Sequence, residues 1–345
     1  MHTEMKKQHV TIHDIARELN ISASTVSRAL QNHPRISKAT REAVQQLALK
    51  YNYQPNVMAS SLRKGRSKTV GVIVPRINRN FFANVIGGME EVLTSAGYHM
   101  IICQTLEKVN HEMFALRTLV NARVDAIIMS ISMETKDHEH IRILVDKGIR
   151  VFFFDRICEE IRAGSVAIDD RLGAYRSVRH LLDQGYRNIV HVSGADHINI
   201  YRARKEGYLE AMREAGIHVR DSWIIEESLL PEGGKAAFQR GMKLAPRPDA
   251  YFCAGDYAAL GILQAARNRG LKVPDDLGIT GFANEPFTEF TEPSMTTVDQ
   301  RAGEMGVTVA DMFLKDVDRS DEMHPLEKVM LKPELIIRKS SMLNK

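Results

Sequence analysis

Thr11-Ile12-His13-Asp14-Ile15-Ala16-Arg17-Glu18-Leu19-Asn20-Ile21-Ser22-Ala23-Ser24-Thr25-Val26-Ser27-Arg28 has the pattern of two short helices meeting at a sharp turn. Thr11 and Asp14 stand at capping-box spacing, which satisfies donors at the start of the first helix. Ile12, Ile15, Ala16 and Leu19 line one face of it. Asn20 tolerates left-handed backbone better than other non-glycine residues, so it can end the helix and redirect the chain. Ser22 can cap a second helix with Val26, Ala29 and Leu30 on its inner side. Ser37 can cap a third, with Val44, Leu47 and Leu49 as apolar contacts. Ala16 is small where the first two helices must touch, and Ile15, Leu19, Ile21 and Val26 hold the pair together. This is helix-turn-helix geometry, in which the second helix enters a DNA major groove by its N-terminal end.

The outward residues of that helix are Ser22, Ala23, Ser24, Thr25, Ser27 and Arg28, and Thr11, Arg35 and Ser37 join them as candidate DNA contacts. Helix N-terminal amides and serine hydroxyls suit phosphates. Arg28 either reads guanine by two hydrogen bonds, worth about 1–3 kcal/mol of discrimination, or clamps a phosphate. Charge agrees with a polyanion partner. Residues 1–68 hold 12 Lys+Arg against 4 Asp+Glu, while the other residues hold 35 against 39. The formal net charge of +4 thus hides a basic head on a mildly acidic body.

Residues 52–68 are polar and basic and read as a linker. After Thr69 the grammar changes. Apolar β-branched runs at Val70–Val74, Met100–Cys103, Ala126–Met129, Val151–Phe154, Ile189–Val192, Ala250–Cys253 and Leu277–Gly281 alternate with amphipathic segments such as Phe82–Ala96, Met113–Asn121, Gly173–Gln184 and Arg202–Ala215. Gly97, Gly148, Gly185, Gly216 and Gly270 mark helix ends. Such βαβ alternation implies parallel sheets covered by helices. The strands are too many for one comfortable sheet, so two lobes facing a cleft are predicted. The chain is expected to cross between them near residues 163 and 290 and again before the tail Glu334–Arg338.

Several classes are excluded by what the chain lacks. No apolar run approaches the length of a membrane span. No apolar segment follows Lys6 and Lys7 as in a secretory signal, so a cytoplasmic location is expected. Cys103, Cys158 and Cys253 are too few and scattered for a disulfide framework or a cysteine-based zinc site. No G-x-G-x-x-G follows the first strand, and Gly233-Gly234-Lys235 lacks the remaining features of a phosphate loop. No nucleophile triad or metal spacing stands out, and His191, within an apolar strand, reads as a core or cleft residue. Neither enzyme activity nor a metal or cofactor is expected.

The head and hinge follow one signature in order: Thr11-Ile12-His13-Asp14-Ile15-Ala16, Ile21-Ser22-x-x-Thr25-Val26-Ser27-Arg28, Ser37-x-x-Thr40-Arg41, and Tyr53-x-Pro55-Asn56-x-x-Ala59-x-x-Leu62. In these residues the chain resembles the LacI–GalR family of bacterial repressors, and the likeness covers nearly its whole length. The resemblance implies an α helix-turn-helix DNA-binding head plus an α/β two-lobed periplasmic-binding-protein-like effector domain. The domains would be a head at 1–52, a hinge helix and linker at 53–68, and a body at 69–345. Within the body, lobe 1 would take about 69–163 and 291–325, and lobe 2 about 164–290 and 326–345. Ala23 and Ser24 hold the positions at which members vary to choose operators. Asn56, Ala59 and Leu62 would belong to a hinge helix that folds on DNA, with Leu62 either a minor-groove wedge or a contact to the body. Ser60 stands where this hinge commonly has Arg. The implied function is a ligand-responsive, sequence-specific transcriptional regulator. It would be a homodimer that represses carbohydrate-utilisation genes from a palindromic operator. The alternative is a cytosolic sugar-binding protein without a DNA role.

The family's body resembles periplasmic sugar-binding proteins, and ligands in open α/β sheets sit beyond strand C-terminal ends. Arg76, Asn78, Phe81, Phe82, Asp155, Asp169, Asp196, Arg204, Phe252, Asp256 and Asn284 are the effector candidates on that basis. Arg204 matches the family's ligand-binding arginine, and Phe81 and Phe82 match its Phe-Phe pair. Asp169 and Asp256 either contact ligand or cap helices, and Phe252 either stacks on ligand or packs in its strand. Ala283 replaces an aspartate common in relatives, and Arg76 stands where many carry Asp. A guanidinium in place of a carboxylate points to an acidic effector such as a sugar acid or sugar phosphate, unless Arg76 turns to solvent.

Overall fold

A computed structural model describes residues 10–53, 66–318 and 326–343. The chain divides into Met1–Ser67 and Lys68–Lys345. The hinge positions Asn56, Ala59 and Leu62 lie outside the described residues.

In the head, α1 spans Ile12–Glu18, α2 Ala23–Leu30 and α3 Lys38–Lys50. The caps are where the sequence places them. Asp14 accepts hydrogen bonds from the Thr11 N–H at 2.9 Å and the Thr11 hydroxyl at 2.7 Å. Ser22 and Ser37 accept from the N–H groups of Thr25 and Thr40 at 3.1 and 3.2 Å. Asn20 takes the left-handed conformation at φ 51°. Ile15, Ala16, Val26, Ala29, Val44, Leu47 and Ala48 form the core. Leu49 differs from expectation: it is 81% exposed. Its helical neighbour Ala48 completes the inward face, because positions 44, 47 and 48 share one side of a helix whereas 49 is turned a further 100°.

In the body, the first sheet contains β1 Thr69–Val74, β2 His99–Gln104, β3 Ala126–Met129, β4 Val151–Phe154, β5 Gly164–Ile168 and β11 Lys328–Leu331, in the order β11-β5-β4-β3-β1-β2. The second contains β6 Ile189–Ser193, β7 Ile224–Glu226, β8 Ala250–Cys253 and β9 Gly278–Thr280, in the order β7-β6-β8-β9. All pairings in both are parallel. A third, antiparallel pair joins β10 Thr297–Asp299 to β12 Glu334–Ile336.

Helices α4 Asn80–Ser95, α5 Val109–Asn121, α6 Glu139–Asp146 and α12 Ala302–Asp318 belong with the first sheet. Helices α7 Asp170–Gln184, α8 Asn199–Glu214, α9 Pro231–Gly241, α10 Asp256–Asn268 and the short α11 Phe287–Phe290 belong with the second. Strand residues alternate between two apolar layers. Val70, Val72, Val74, Ile128 and Phe154 enter one core, and Ile73, Ile127, Met129 and Phe153 enter another. This is the burial on both faces that parallel sheets require. Where α4 meets α12, a Cβ at Gly306 would lie 2.0 Å from the Val85 carbonyl, so only glycine permits that approach.

The lobe boundaries differ from expectation at two places. Residues 164–168 form β5, which pairs with β4 through Phe152↔Gly164, and 328–331 form β11, which pairs with β5. Both strands extend the first sheet, so the chain leaves that lobe after Ile168, not near 163. A strand buried on both faces carries no mark of which sheet it joins.

Candidate functional site

On the head, Ser22, Ser24, Arg28, Arg35, Ser37 and Thr11 are exposed, while Ala23, Thr25 and Ser27 are half-buried. Ala23 packs against the head core, so little of it faces outward. The Ser22 hydroxyl lies 2.8 Å from both the Ser24 and Thr25 hydroxyls, which gathers three hydroxyls at the start of α2. Arg28 has no ion-pair partner among the described residues, leaving its guanidinium free for a phosphate or a base.

In the body, a cavity of about 330 Å³ opens between the lobes. It lies beyond the C-terminal ends of β1, β4, β6 and β8, as the geometry of open α/β sheets requires. Arg76, Phe81, Phe82, Asp155, Arg204 and Asp256 line it, so six of the sequence candidates converge. Its two innermost cations are anchored. Arg204 donates from Nε to Asp170 at 2.8 Å and from Nη1 to the Ala254 carbonyl at 2.8 Å. Its guanidinium lies 3.7 Å from the centre of the Phe282 ring. Arg156 donates from its two terminal nitrogens to Glu107 at 2.7 and 3.2 Å. Arg79 sits 4.0 Å from the centre of the Tyr257 ring. Arg76 is half-buried in the lining and has neither ion-pair nor hydrogen-bond partner among the described residues.

Three buried aspartates lie in or beside the same cavity, and two of them, Asp155 and Asp170, adjoin these cations. Burial pushes Asp170 up to about 7, against the pull of Arg204. Burial likewise raises Asp256 to about 7, against hydrogen bonds from the Thr297 hydroxyl at 2.6 Å and the Glu285 N–H at 2.8 Å. Asp155 is raised by burial, opposed by Arg156 and Arg204. Gly281 makes room for Asp256, since a Cβ there would lie 2.1 Å from its Oδ1. Asp155 and Ala283, both in the lining, have φ of 60° and 121°. Strained backbone of this kind is held only where surrounding structure fixes it.

Five sequence candidates fall outside the lining. Asp169 caps α7, accepting from the Leu172 N–H at 2.8 Å. Asp196 pairs with Lys205 at 2.5 Å on the surface. Phe252 is fully buried and stacks on His191 with ring centres 4.8 Å apart, so it packs in its strand. Asn78 is exposed beyond β1. Asn284 donates to Asp299 at 2.8 Å and accepts from Arg338 at 3.2 Å, placing it in a neighbouring cleft. Conversely, Glu107, Tyr201, Arg156 and Tyr257 line the cavity without having been singled out. Arg156 directly follows the candidate Asp155, and that adjacency was the available signal.

Residues 11–56 match the family described as bacterial regulatory proteins, lacI family, and residues 178–341 match a periplasmic binding protein-like domain. Catabolite control protein A of Priestia megaterium is 33% identical over 312 residues, covering 90% of this chain and 93% of that one. The structure of a transcriptional regulator CelR–cellobiose complex superimposes with a TM-score of 0.73 at 25% identity, covering 96% of this chain and 99% of that one. The lac repressor dimer bound to operator gives a TM-score of 0.86 over 97% of this chain and 100% of that one, at 21% identity, a likeness of fold. No described helix is long and apolar enough to cross a membrane. With one-third identity sustained across nine-tenths of a curated regulator, the protein belongs to the LacI family of bacterial regulatory proteins: it is a DNA-binding transcriptional regulator and not an enzyme.

Proposed function

We propose that the effector is a small polyhydroxylated molecule carrying an anionic group, a sugar acid or sugar phosphate, and that it controls operator binding. One observation supports the anionic group. Arg156 is paired with Glu107 and Arg204 with Asp170, whereas Arg76 reaches the same cavity unpaired. A guanidinium there is matched to a carboxylate or phosphate. The phenylalanine and tyrosine rings offer flat apolar faces, and Arg156, Arg204 and Asp155 offer hydroxyl partners, the combination that carbohydrate recognition needs. The cellobiose named for one structural relative is in keeping with a sugar-like ligand.

The regulator acts as a homodimer in the cytoplasm, reading the two halves of a palindrome. The dimer in the lac repressor structure supports this, as does the apolar surface around the edge strand β2, where Ile101, Ile102, Leu106 and Phe114 are exposed. Ligand between the lobes alters their relative orientation, and that change couples to operator binding as a free energy of either sign. Carbohydrate-utilisation genes are its targets. The effector reading is tested by calorimetry with matched neutral and anionic sugars on the wild type and on Arg76→Ala. Binding of anionic sugars that weakens about tenfold or more in the variant supports it. Tight binding of neutral sugars alone refutes it.

A further inference from the structure

We propose that His138, Cys158 and Glu160 form a binding site for a divalent transition-metal ion of the zinc class. One nitrogen, one sulfur and one oxygen from these residues all lie within 4.8 Å of one another. His138 stands at the start of α6, and Cys158 and Glu160 sit on the loop between β4 and β5. A separate cavity of about 140 Å³ adjoins the cluster, lined by these three together with His197 and Asn199 from the second lobe. Ligand and space therefore coincide.

The donor set decides the class of ion. A thiolate with an imidazole suits zinc or cobalt, whereas magnesium and calcium take oxygen ligands. Around a tetrahedral zinc the ligand atoms are about 3.3–3.8 Å apart, given metal–nitrogen and metal–sulfur bonds of about 2.0–2.3 Å. The cluster must therefore draw in by about 1 Å on this geometry. Glu160 can supply the movement, because its side chain is 72% exposed. Its present partner Arg142 is 3.6 Å away and also exposed, and such a pair is readily exchanged. The His138 ring makes no hydrogen bond among the described residues, so its nitrogens are available. Burial pushes the Cys158 thiol up against the pull of the Glu160 and Ile161 N–H groups, so an ion bound here displaces the thiol proton. Three protein ligands leave a fourth position open toward the cavity for water. Arg156 lines this cavity and the effector cavity alike, so an ion here would sit on the loop that carries Asp155 and Arg156.

The test is titration of Co²⁺ into the full-length reduced protein after chelator treatment, followed in the near ultraviolet for thiolate-to-cobalt charge transfer. Binding at one equivalent with that absorption is expected. Cys158→Ser should abolish the band, Glu160→Gln should weaken binding about tenfold or more, and Zn²⁺ should displace the cobalt. Glu160 is exposed, so its substitution leaves the fold intact and keeps the test decisive. Histidines elsewhere in the chain can bind cobalt but cannot produce a thiolate band. Absence of the band in the wild type would overturn the proposal, as would its survival in Cys158→Ser or unchanged affinity in Glu160→Gln.

Discussion

Arg204 and Asp170 hold each other at the floor of the interlobe cavity, with Nε and Nη2 of the arginine 2.8 and 2.7 Å from one carboxylate oxygen. Both side chains are almost wholly buried. A buried pair of this kind is costly to break because the surviving charge is left unpaired, typically by 3–5 kcal/mol. Asp170→Ala should therefore lower the stability of the body by roughly 3 kcal/mol, read from denaturant unfolding. Arg204→Met removes one ligand-facing cation and should abolish effector binding while costing less stability, because the buried Asp170 left behind takes up a proton whereas an arginine left behind cannot lose its charge. Equal stability loss in both variants would contradict this division.

The raised carboxylates set a pH dependence of defined sign. Asp256 moves from an ordinary 3.8 to about 7 in the folded protein, so the native state binds its proton more tightly than the unfolded chain. The stabilisation is complete below pH 3.8 and is lost as pH rises toward 7. Its full size is about 4 kcal/mol by the linkage relation. Asp256→Asn keeps a neutral group able to accept from Glu285 and donate to Thr297, so it should flatten the decline between pH 5 and 7. His191 acts in the opposite direction. Burial lowers it from 6.5 to about 4, so stability falls as pH drops through that interval, and His191→Gln should remove the loss. Melting temperatures of the two variants across pH 4–8 check both signs.

On the head, Arg28→Ala should reduce discrimination between operator and random duplex by about 1–3 kcal/mol if it reads a base, and should weaken both equally if it clamps a phosphate. Ser22→Ala removes the cap of α2 and should cost the head about 1 kcal/mol. Fluorescence anisotropy on specific and unrelated duplexes separates the first two outcomes.

The apolar surface near β2 gives a test of assembly. Phe114 is 72% exposed and Ile102 is 44% exposed. Replacing both by Glu should convert the dimer to a monomer in sedimentation, and should weaken operator binding far more than effector binding. A variant that remains dimeric would place the interface elsewhere.

Much of this molecule was legible from residues alone, for reasons that differ by region. Thr11, Ser22 and Ser37 cap helices by local hydrogen bonds, which spacing encodes directly. Gly97, Gly148, Gly185, Gly216 and Gly270 all take positive φ after helices, the conformation for which glycine is chosen. The cavity residues Arg76, Asp155, Arg204 and Asp256 followed from the rule that strand ends carry ligands. That same rule nominated Asp169 and Asp196, because an aspartate after a strand equally serves as a helix cap or a surface partner. Glu107 and Arg156 stayed hidden because their pairing spans 49 residues and exists only once the sheet has formed. Strands β5 and β11 went to the wrong lobe because parallel partners leave no local trace.

The most direct measurement is selection of bound fragments from random DNA by the full-length protein, repeated with a panel of neutral and anionic sugars. The expected result is a palindromic duplex whose affinity falls about 10³-fold or more between 50 and 200 mM salt. At least one anionic sugar should shift that affinity in the wild type but not in Arg204→Met. A protein that enriches no duplex, with or without any sugar of the panel, would contradict the assignment of a ligand-controlled DNA reader.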